Sequence, residues 1–167
     1  MSISMYEISA PVFIRLLKNL STFLDKGQAH ADARKIAPTV LPASRLIADM
    51  LPLSKQVQIA TDHAKGAMAR LAGVEIPKYE DNEQTIEELK ARIAKTVAFV
   101  ESFKPEQIRG TEDHNIAFTM GSNDFKYTGE GYLLEFALPN FYFHVVTAYD
   151  ILRQNGVDIG KRDFLAK

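Results

Sequence analysis

Apolar residues recur at three- and four-residue steps near the start of the chain, which is the spacing of an amphipathic helix. The pattern predicts a first helix over residues 6–26 that ends at Gly27. Pro11 lies inside this span, and a proline within a helix removes one hydrogen bond and clashes with the preceding turn. The helix therefore either begins nearer Ser9, with Pro11 in its first turn, or bends at the proline.

The same spacing returns in two further stretches of the chain. One predicts a helix over Leu53–Ala72 that ends at Gly73 and carries a seam of small residues, so that another helix can approach closely. The other begins at Thr85, which with Glu88 matches the T-x-x-E pattern of a capping box, and it ends before Pro105. Both stretches are long enough to be main helices of a bundle.

Two prolines break the pattern between the first two helices. Residues 28–50 are predicted to be a connector with two short helical pieces, over 29–35 and 43–50. A connector of this length is unlike the tight loops of a minimal up-down bundle.

The spacing of apolar residues changes in the last third of the chain. Over residues 116–127 apolar and polar residues alternate on both sides of a turn at 121–124, which predicts a β-hairpin. A last helix follows from Gly131 or Tyr132 to Gln154, and Pro139 within it allows two helices instead, the second starting near the proline. The chain is thus predicted to be mainly α, a helical bundle in a single domain over residues 1–167.

Composition and charge exclude several classes of function. The 20 Lys and Arg nearly balance the 21 Asp and Glu, so neither nucleic acid nor a membrane is expected as a partner. The chain has no cysteine, which excludes disulfides, thiolate metal ligands and a cysteine nucleophile. We expect a cytoplasmic protein, because neither a signal-peptide pattern nor an apolar run of roughly 20 residues is present. Phosphate-loop, dinucleotide-fold, serine-hydrolase and H-E-x-x-H motifs are also absent.

The last helix carries two polar residues on one face of an apolar stretch. Asn140 and His144 are four residues apart, so their side chains lie on the same helical face. His144 is either a metal ligand or general base, or a buried neutral histidine bonded to Asn140, Tyr149 or a carbonyl. His63 on the second long helix can meet it across the bundle, or it is a half-exposed residue of that helix. Two histidines and an asparagine would form an incomplete shell for zinc.

Two runs of the sequence carry a resemblance to a known family. LPLSKQVQIATDHAKGAMARLAG and PNFYFHVVTAYDILRQNGVDIGKRDFL resemble a bacterial family of domains of unknown function in the DinB/YfiT-like superfamily of four-helix bundles. The resemblance covers nearly the whole chain. It implies a four-helix bundle with a long crossover between helices, and a homodimer as in many members of the superfamily. With the small β-hairpin that the alternating residues predict before the last helix, this completes the expected fold.

The resemblance also implies which residues form the pocket. Metal-binding members of the superfamily use one His of the second helix and an H-x-x-x-H pair of the last helix around a divalent ion such as zinc or nickel. Matching the LRQNG ending of the last helix places that pair on Asn140 and His144, and the second-helix ligand on His63 or Gln56. Asn140 would then stand where the family pattern has a histidine.

Two functions from different classes follow from this assignment. The first is a non-catalytic or small-ligand-binding bundle, in which His63, Asn140 and His144 form a degenerate metal pocket that holds no metal. The alternative is a divalent-metal-dependent hydrolase or thiol transferase acting on small molecules, with His63 and His144 as ligands of zinc or nickel and Asn140 orienting a bound water. The asparagine favours the first.

Overall fold

The computed structural model describes residues 3–166 of the chain, and within them four long helical stretches account for most of the structure. The elements are, in order, α1 (Ala10–Ala33), α2 (Val40–Ala43), α3 (Leu53–Ala72), α4 (Ile86–Glu101), a 3₁₀ turn (Pro105–Gln107), β1 (Asn115–Met120), β2 (Asn123–Thr128), α5 (Gly129–Gly131), a π segment (Tyr132–Ala137), α6 (Leu138–Gln154) and α7 (Lys161–Phe164). The α5 turn, the π segment and α6 follow one another without a break and form one last helix.

The four long helices pack as a bundle around one apolar core. Helix α3 packs against α4 and α6, and α1 packs against the same two helices from the other side. Helices α1 and α3 are therefore diagonal neighbours, and the connection between them is a long crossover. The predicted bundle with a hairpin before its last helix is confirmed. Among residues 3–166, we find no helix that combines the length and the apolar character needed to cross a membrane.

The start of helix α1 is determined by local sequence, and its end depends on tertiary packing. It begins at Ala10 with Pro11 in its first turn, so the first of the two predicted starts is the correct one. The predicted end at Gly27 is wrong, because the helix continues to Ala33. Gly27 is buried, and a Cβ atom there would lie 3.1 Å from Leu152 Cδ2 and 3.6 Å from Ile86 Cδ1. The glycine permits close helix contact and does not end the helix.

The connector after α1 contains less helix than the sequence predicts. Residues 29–33 belong to α1, the short helix α2 covers only Val40–Ala43, and the predicted helix over 43–50 is wrong. The backbone N–H of Leu53 donates to the carbonyl of Ser44 at 2.9 Å. This bond brings the two ends of the intervening segment together, and residues 44–52 turn irregularly into the start of α3.

The last helix accommodates Pro139 through its π segment. Pro139 lies in the first turn of α6, directly after the π segment, so the helix is continuous although α6 itself begins near the proline as predicted. Hydrogen bonds in a π turn span five residues, which removes the need for the N–H that proline lacks. Around this wider turn the buried residues are four positions apart: Leu133, Ala137, Phe141 and Val145.

The β-hairpin adds an aromatic layer to the bundle. Its strands pair in antiparallel register around a two-residue turn at Gly121 and Ser122, and Gly121 has a φ of 61°. The predicted hairpin is confirmed, with a tighter turn than expected because Asn123 already belongs to β2. One face of the hairpin packs against the π segment, and the two together form what we name the aromatic cluster: Phe118, Phe125, Tyr127, Tyr132 and Phe136.

The start of the last helix depends on a close backbone approach at Gly129. A Cβ atom at this position would lie 1.9 Å from the carbonyl oxygen of Thr111, so any side chain forces the two backbone segments apart. We expect Gly129→Ala to lower the unfolding free energy by about 1–3 kcal/mol, as overpacking of an interior does. Urea unfolding measures the loss, with Gly131→Ala as the control, since its Cβ atom meets only side-chain atoms of Thr128 and Tyr127. Equal stability of the two variants would show that the Thr111 segment moves freely.

Candidate functional site

The two histidines of α3 and α6 lie side by side between their helices. The ring centroids of His63 and His144 are 6.0 Å apart and the ring planes differ by only 14°. Both side chains are partly exposed, so the pair lies at the edge of the core. We call His63 and His144 the His pair.

A glutamine fixes the orientation and the tautomer of His144. The Nε2 amide of the buried Gln56 donates to the carbonyl of Leu51 at 2.9 Å, which leaves its Oε1 facing His144 Nδ1 at 2.7 Å. An amide oxygen only accepts, so His144 Nδ1 carries the proton and His144 Nε2 is an acceptor. The partner expected for a neutral His144 was Asn140, Tyr149 or a carbonyl. That expectation is wrong, because Gln56 reaches it from the facing helix.

The side chain of Asn140 forms a hydrogen bond with the backbone of its own helix. Its Nδ2 donates to the carbonyl oxygen of Phe136, four residues earlier, at 2.7 Å. This carbonyl lies at the junction of the π segment and α6, where the change of hydrogen-bond span leaves backbone acceptors to be satisfied. The asparagine therefore has a structural reason to occupy this position.

Burial keeps both members of the His pair neutral. Burial is the main cause that lowers the pKa of His63 to about 4; repulsion between the protonated forms of His63 and His144 lowers it further, while Asp62 opposes the shift. Burial also lowers the pKa of His144 to about 4. At neutral pH the site presents two uncharged imidazoles.

The aromatic cluster borders the His pair through one shared ring. The ring of Phe136 lies 5.6 Å from the ring of His63 and 5.2 Å from the ring of Phe118 in the hairpin. Arg70 covers the far side of the cluster, with its guanidinium carbon 4.5 Å from the Phe118 ring centroid and its Nη1 donating to the Tyr132 hydroxyl at 3.1 Å. The His pair thus lies between a polar partner, Gln56, and an aromatic wall.

The side chains around the His pair do not supply enough ligands for a divalent-metal centre. Within residues 3–166, no three side chains of the His, Asp and Glu types lie close enough to share an ion. The oxygen of Gln56 already accepts from His144, and the amide of Asn140 is turned to the backbone. Two imidazoles and neutral amides are fewer strong ligands than zinc sites in proteins normally use.

Comparison with known proteins assigns the chain to a family. Residues 5–165 match the family described as "Domain of unknown function (DUF1993)". The chain belongs to the DUF1993 family. A crystal structure described as a DinB family member protein from Shewanella denitrificans is 40% identical to it with a TM-score of 0.87, and the match covers 97% of this chain and 92% of that one. No curated protein shows significant similarity to the chain. The resemblance of this DUF1993 chain to the DinB-like superfamily is therefore confirmed.

A second polar cluster of the DUF1993 chain was not predicted from the sequence. The side chain of Arg92 on α4 is only 2% exposed, and its guanidinium donates four hydrogen bonds and forms a further ion pair with Asp81. The four acceptors lie between 2.7 and 3.0 Å away and belong to Thr61, Asp62, the Glu80 carbonyl and Glu83, and the Asp81 carboxylate lies 3.1 Å away. Burial lowers the pKa of Arg92, but Glu83 and the two aspartates outweigh it and the net shift is upward.

This cluster attaches the α3–α4 loop to the bundle. Tyr79 of the loop lies under two ammonium groups, Lys65 at 4.2 Å and Lys95 at 4.1 Å from its ring centroid. A cavity of about 430 Å³ beside the ring is lined by side chains of both charge signs. Because Arg92 pairs with Asp81 and Glu83 of the loop and with Asp62 of α3, the cluster is a structural clamp on the loop. The sequence signal for it was a single charged residue, Arg92, within the apolar stripe of α4.

Proposed function

We propose that this DUF1993 protein is a non-catalytic bundle that binds a small ligand at the His pair, in a pocket that no longer holds a metal ion. The observation that carries the proposal is the hydrogen bond between Gln56 and His144. Because the glutamine amide is itself oriented by Leu51, His144 is held as one tautomer with an acceptor at Nε2. A histidine held in this way can accept a hydrogen bond from a ligand that carries a donor.

The acid–base properties of the His pair support binding over catalysis. A general base works best when its pKa lies near the working pH, whereas both imidazoles have a pKa of about 4. At pH 7 such a group is protonated in about one molecule in a thousand. It therefore makes a stable acceptor and a weak proton carrier.

The neighbouring side chains indicate the chemistry of the ligand. The ring of Phe136 packs edge-on against His63, and the aromatic cluster continues behind it. A ligand with an aromatic or apolar body and one N–H or O–H donor fits both surfaces. Phenol is the simplest probe of this class.

The alternative is a divalent-metal-dependent small-molecule hydrolase or thiol transferase of the DinB/YfiT type. The near-parallel His pair favours it, since two imidazoles from facing helices are part of the ligand set expected from the superfamily. This alternative requires a third strong ligand, and Asn140 occupies the position at which the family pattern supplies one. The two functions therefore differ in one measurable property, the affinity for zinc or nickel.

Metal titration separates the two functions. We expect untagged protein purified without chelator to contain far less than one metal ion per chain and to bind Zn²⁺ or Ni²⁺ weakly in calorimetry. Asn140→His rebuilds the H-x-x-x-H pair beside His63, and we expect it to bind Zn²⁺ at least about tenfold more tightly, in the range by which metal-site changes alter affinity. Near-stoichiometric metal in the wild type that is lost in His144→Ala would instead support the enzyme.

Ligand binding is measured separately on metal-free protein. Addition of phenol should shift the ¹⁵N resonance of His144 Nε2, with Nδ1 remaining protonated. Gln56→Leu removes the acceptor that fixes the tautomer, so we expect weaker binding and a mixture of tautomers in this variant. An Nε2-protonated His144 in the wild type would overturn the proposed recognition mode.

A further inference from the structure

The cavity beside Tyr79 is a groove between α4 and the α3–α4 loop. Its volume of about 430 Å³ falls in the range of about 300–1,000 Å³ that is typical of small-molecule sites. Glu88, Ala91 and Lys95 line it from α4 at three- and four-residue steps, so they lie on one face of that helix. The loop forms the opposite wall.

The loop runs antiparallel to α4 along this groove. Near its start, the ring of Tyr79 lies beside Lys95, with the ammonium nitrogen 4.1 Å from the ring centroid. Near its end, the backbone N–H of Gln84 donates to the carboxylate of Glu88 at 2.7 Å. The first lining residues of the loop therefore lie beside the later part of α4, and the last ones lie beside its first turn.

This arrangement gathers opposite charges at the two ends of the groove. Lys78 and Lys95 lie at one end, and Glu83 and Glu88 lie at the other. The charge of Arg92, between them, is balanced by its own carboxylate partners. Glu88 and Lys95 are seven residues apart on one helix face, which separates the two ends by about 10 Å.

The charges at both ends remain available to a ligand. In the part of the chain that the structure describes, Lys78 and Lys95 form no ion pair. Glu88 accepts the N–H groups of Gln84 and Thr85 through Oε2 alone, and these bonds lower its pKa, so that it is ionised at neutral pH. Its Oε1 is left to face a cation.

We propose that this groove binds a short peptide with free termini, its ammonium group at Glu88 and its carboxylate between Lys78 and Lys95. An extended chain spans about 3.3–3.6 Å per residue, so three residues cover the distance of about 10 Å between the two ends. Between the ends, the side-chain carbonyl of Asn82 is an acceptor for a peptide N–H, and Ala91 leaves room for small side chains.

Titration of the ¹⁵N-labelled full chain with trialanine tests the proposal. We expect saturable shifts of the amide resonances of α4 around Ala91 and Lys95 in the NMR spectrum. N-acetyl-trialanine and trialanine amide each lack one terminal charge, so each should bind roughly fivefold more weakly, as expected for one exposed ion pair. Alanine itself is too short to reach both ends and should bind more weakly than either.

Variants of α4 test each end separately. Glu88→Gln removes the charge and keeps the capping box, in which glutamine is also accepted. This variant should bind trialanine about as weakly as the wild type binds N-acetyl-trialanine, and acetylation of the peptide should cost it no further affinity. Lys95→Gln should reduce the difference between trialanine and its amide in the same way. Glu87→Gln is the matched control, because Glu87 is exposed and does not line the cavity, and it should bind all peptides like the wild type.

Three results would overturn the proposal. The first is the absence of saturable shifts at millimolar trialanine. The second is equal affinity of the wild type for the free and the blocked peptides. The third is an affinity of Glu88→Gln for trialanine that matches that of Glu87→Gln, since the ammonium end would then not lie at Glu88.

Discussion

Replacing Arg92 with alanine should lower the unfolding free energy by about 3–5 kcal/mol, the range observed when one partner of a buried ion pair is removed. This side chain donates four hydrogen bonds, and Glu83, the most buried of its carboxylates, loses its cation in the variant. Urea unfolding measures the change. A loss below about 1 kcal/mol would show that the cluster behaves like an exposed ion pair.

The same helix provides the control for this prediction. Lys90 forms two ion pairs, with Asp25 at 2.7 Å and with Glu87 at 3.4 Å, but its acidic partners are largely exposed. Lys90→Ala should therefore change the unfolding free energy by less than about 1 kcal/mol. Loss of Arg92 should also release the α3–α4 loop, so that trypsin cleaves after Lys78 faster in that variant only.

The second large effect is a loss of stability between neutral and mildly acidic pH. The pKa of each member of the His pair falls from 6.5 to about 4 on folding. Between these two values the histidines are protonated in the unfolded chain and neutral in the folded chain. The stabilisation is complete above pH 6.5, declines as the pH falls, and is fully lost below about 4. Because both rings are partly exposed, solvent screens part of this effect, and the pair contributes roughly 3 kcal/mol over this window.

Urea unfolding at pH 7.5, 6 and 5 measures this dependence before most carboxylates titrate. The double variant His63→Gln/His144→Gln should show a much flatter profile over the same pH values. Lys26→Gln is a suitable control, since its ion pair with Asp163 lies at the surface and involves no histidine. A wild-type unfolding free energy that stays constant from pH 7.5 to 5 would mean that the imidazoles titrate normally and are well solvated.

Local signals predicted most of the secondary structure. The bounds of α3 and the start of α4 follow from Pro52, Gly73 and the Thr85–Glu88 capping box, each of which acts within one turn of the chain. The end of α1 could not be predicted in this way. Gly27 has the residue type of a helix stop, but its role is set by Leu152, which is far away in the sequence.

The candidate site was predictable to a similar degree. Helical spacing placed His144 on the core seam and allowed His63 to meet it across the bundle, and the family resemblance gave Gln56 as the alternative to His63 on the second helix. The hydrogen bond between Gln56 and His144 depends on the relative rotation of two helices, which periodicity does not specify. The Arg92 cluster also escaped prediction, because the partners of Arg92 come from two segments outside its own helix, α3 and the α3–α4 loop.

The π segment makes the last helix tolerant of a change in length at one place. Its hydrogen bonds span five residues where those of an α-helix span four, so the span over 132–137 absorbs one extra residue between the hairpin and Phe141. Removal of one residue within this span would let the segment return to α geometry, and the stretches before and after it would keep their places. Related sequences with one residue fewer here should therefore present the same surface beside His63, whereas a deletion in α6 would rotate one part of the helix against the other by about 100°.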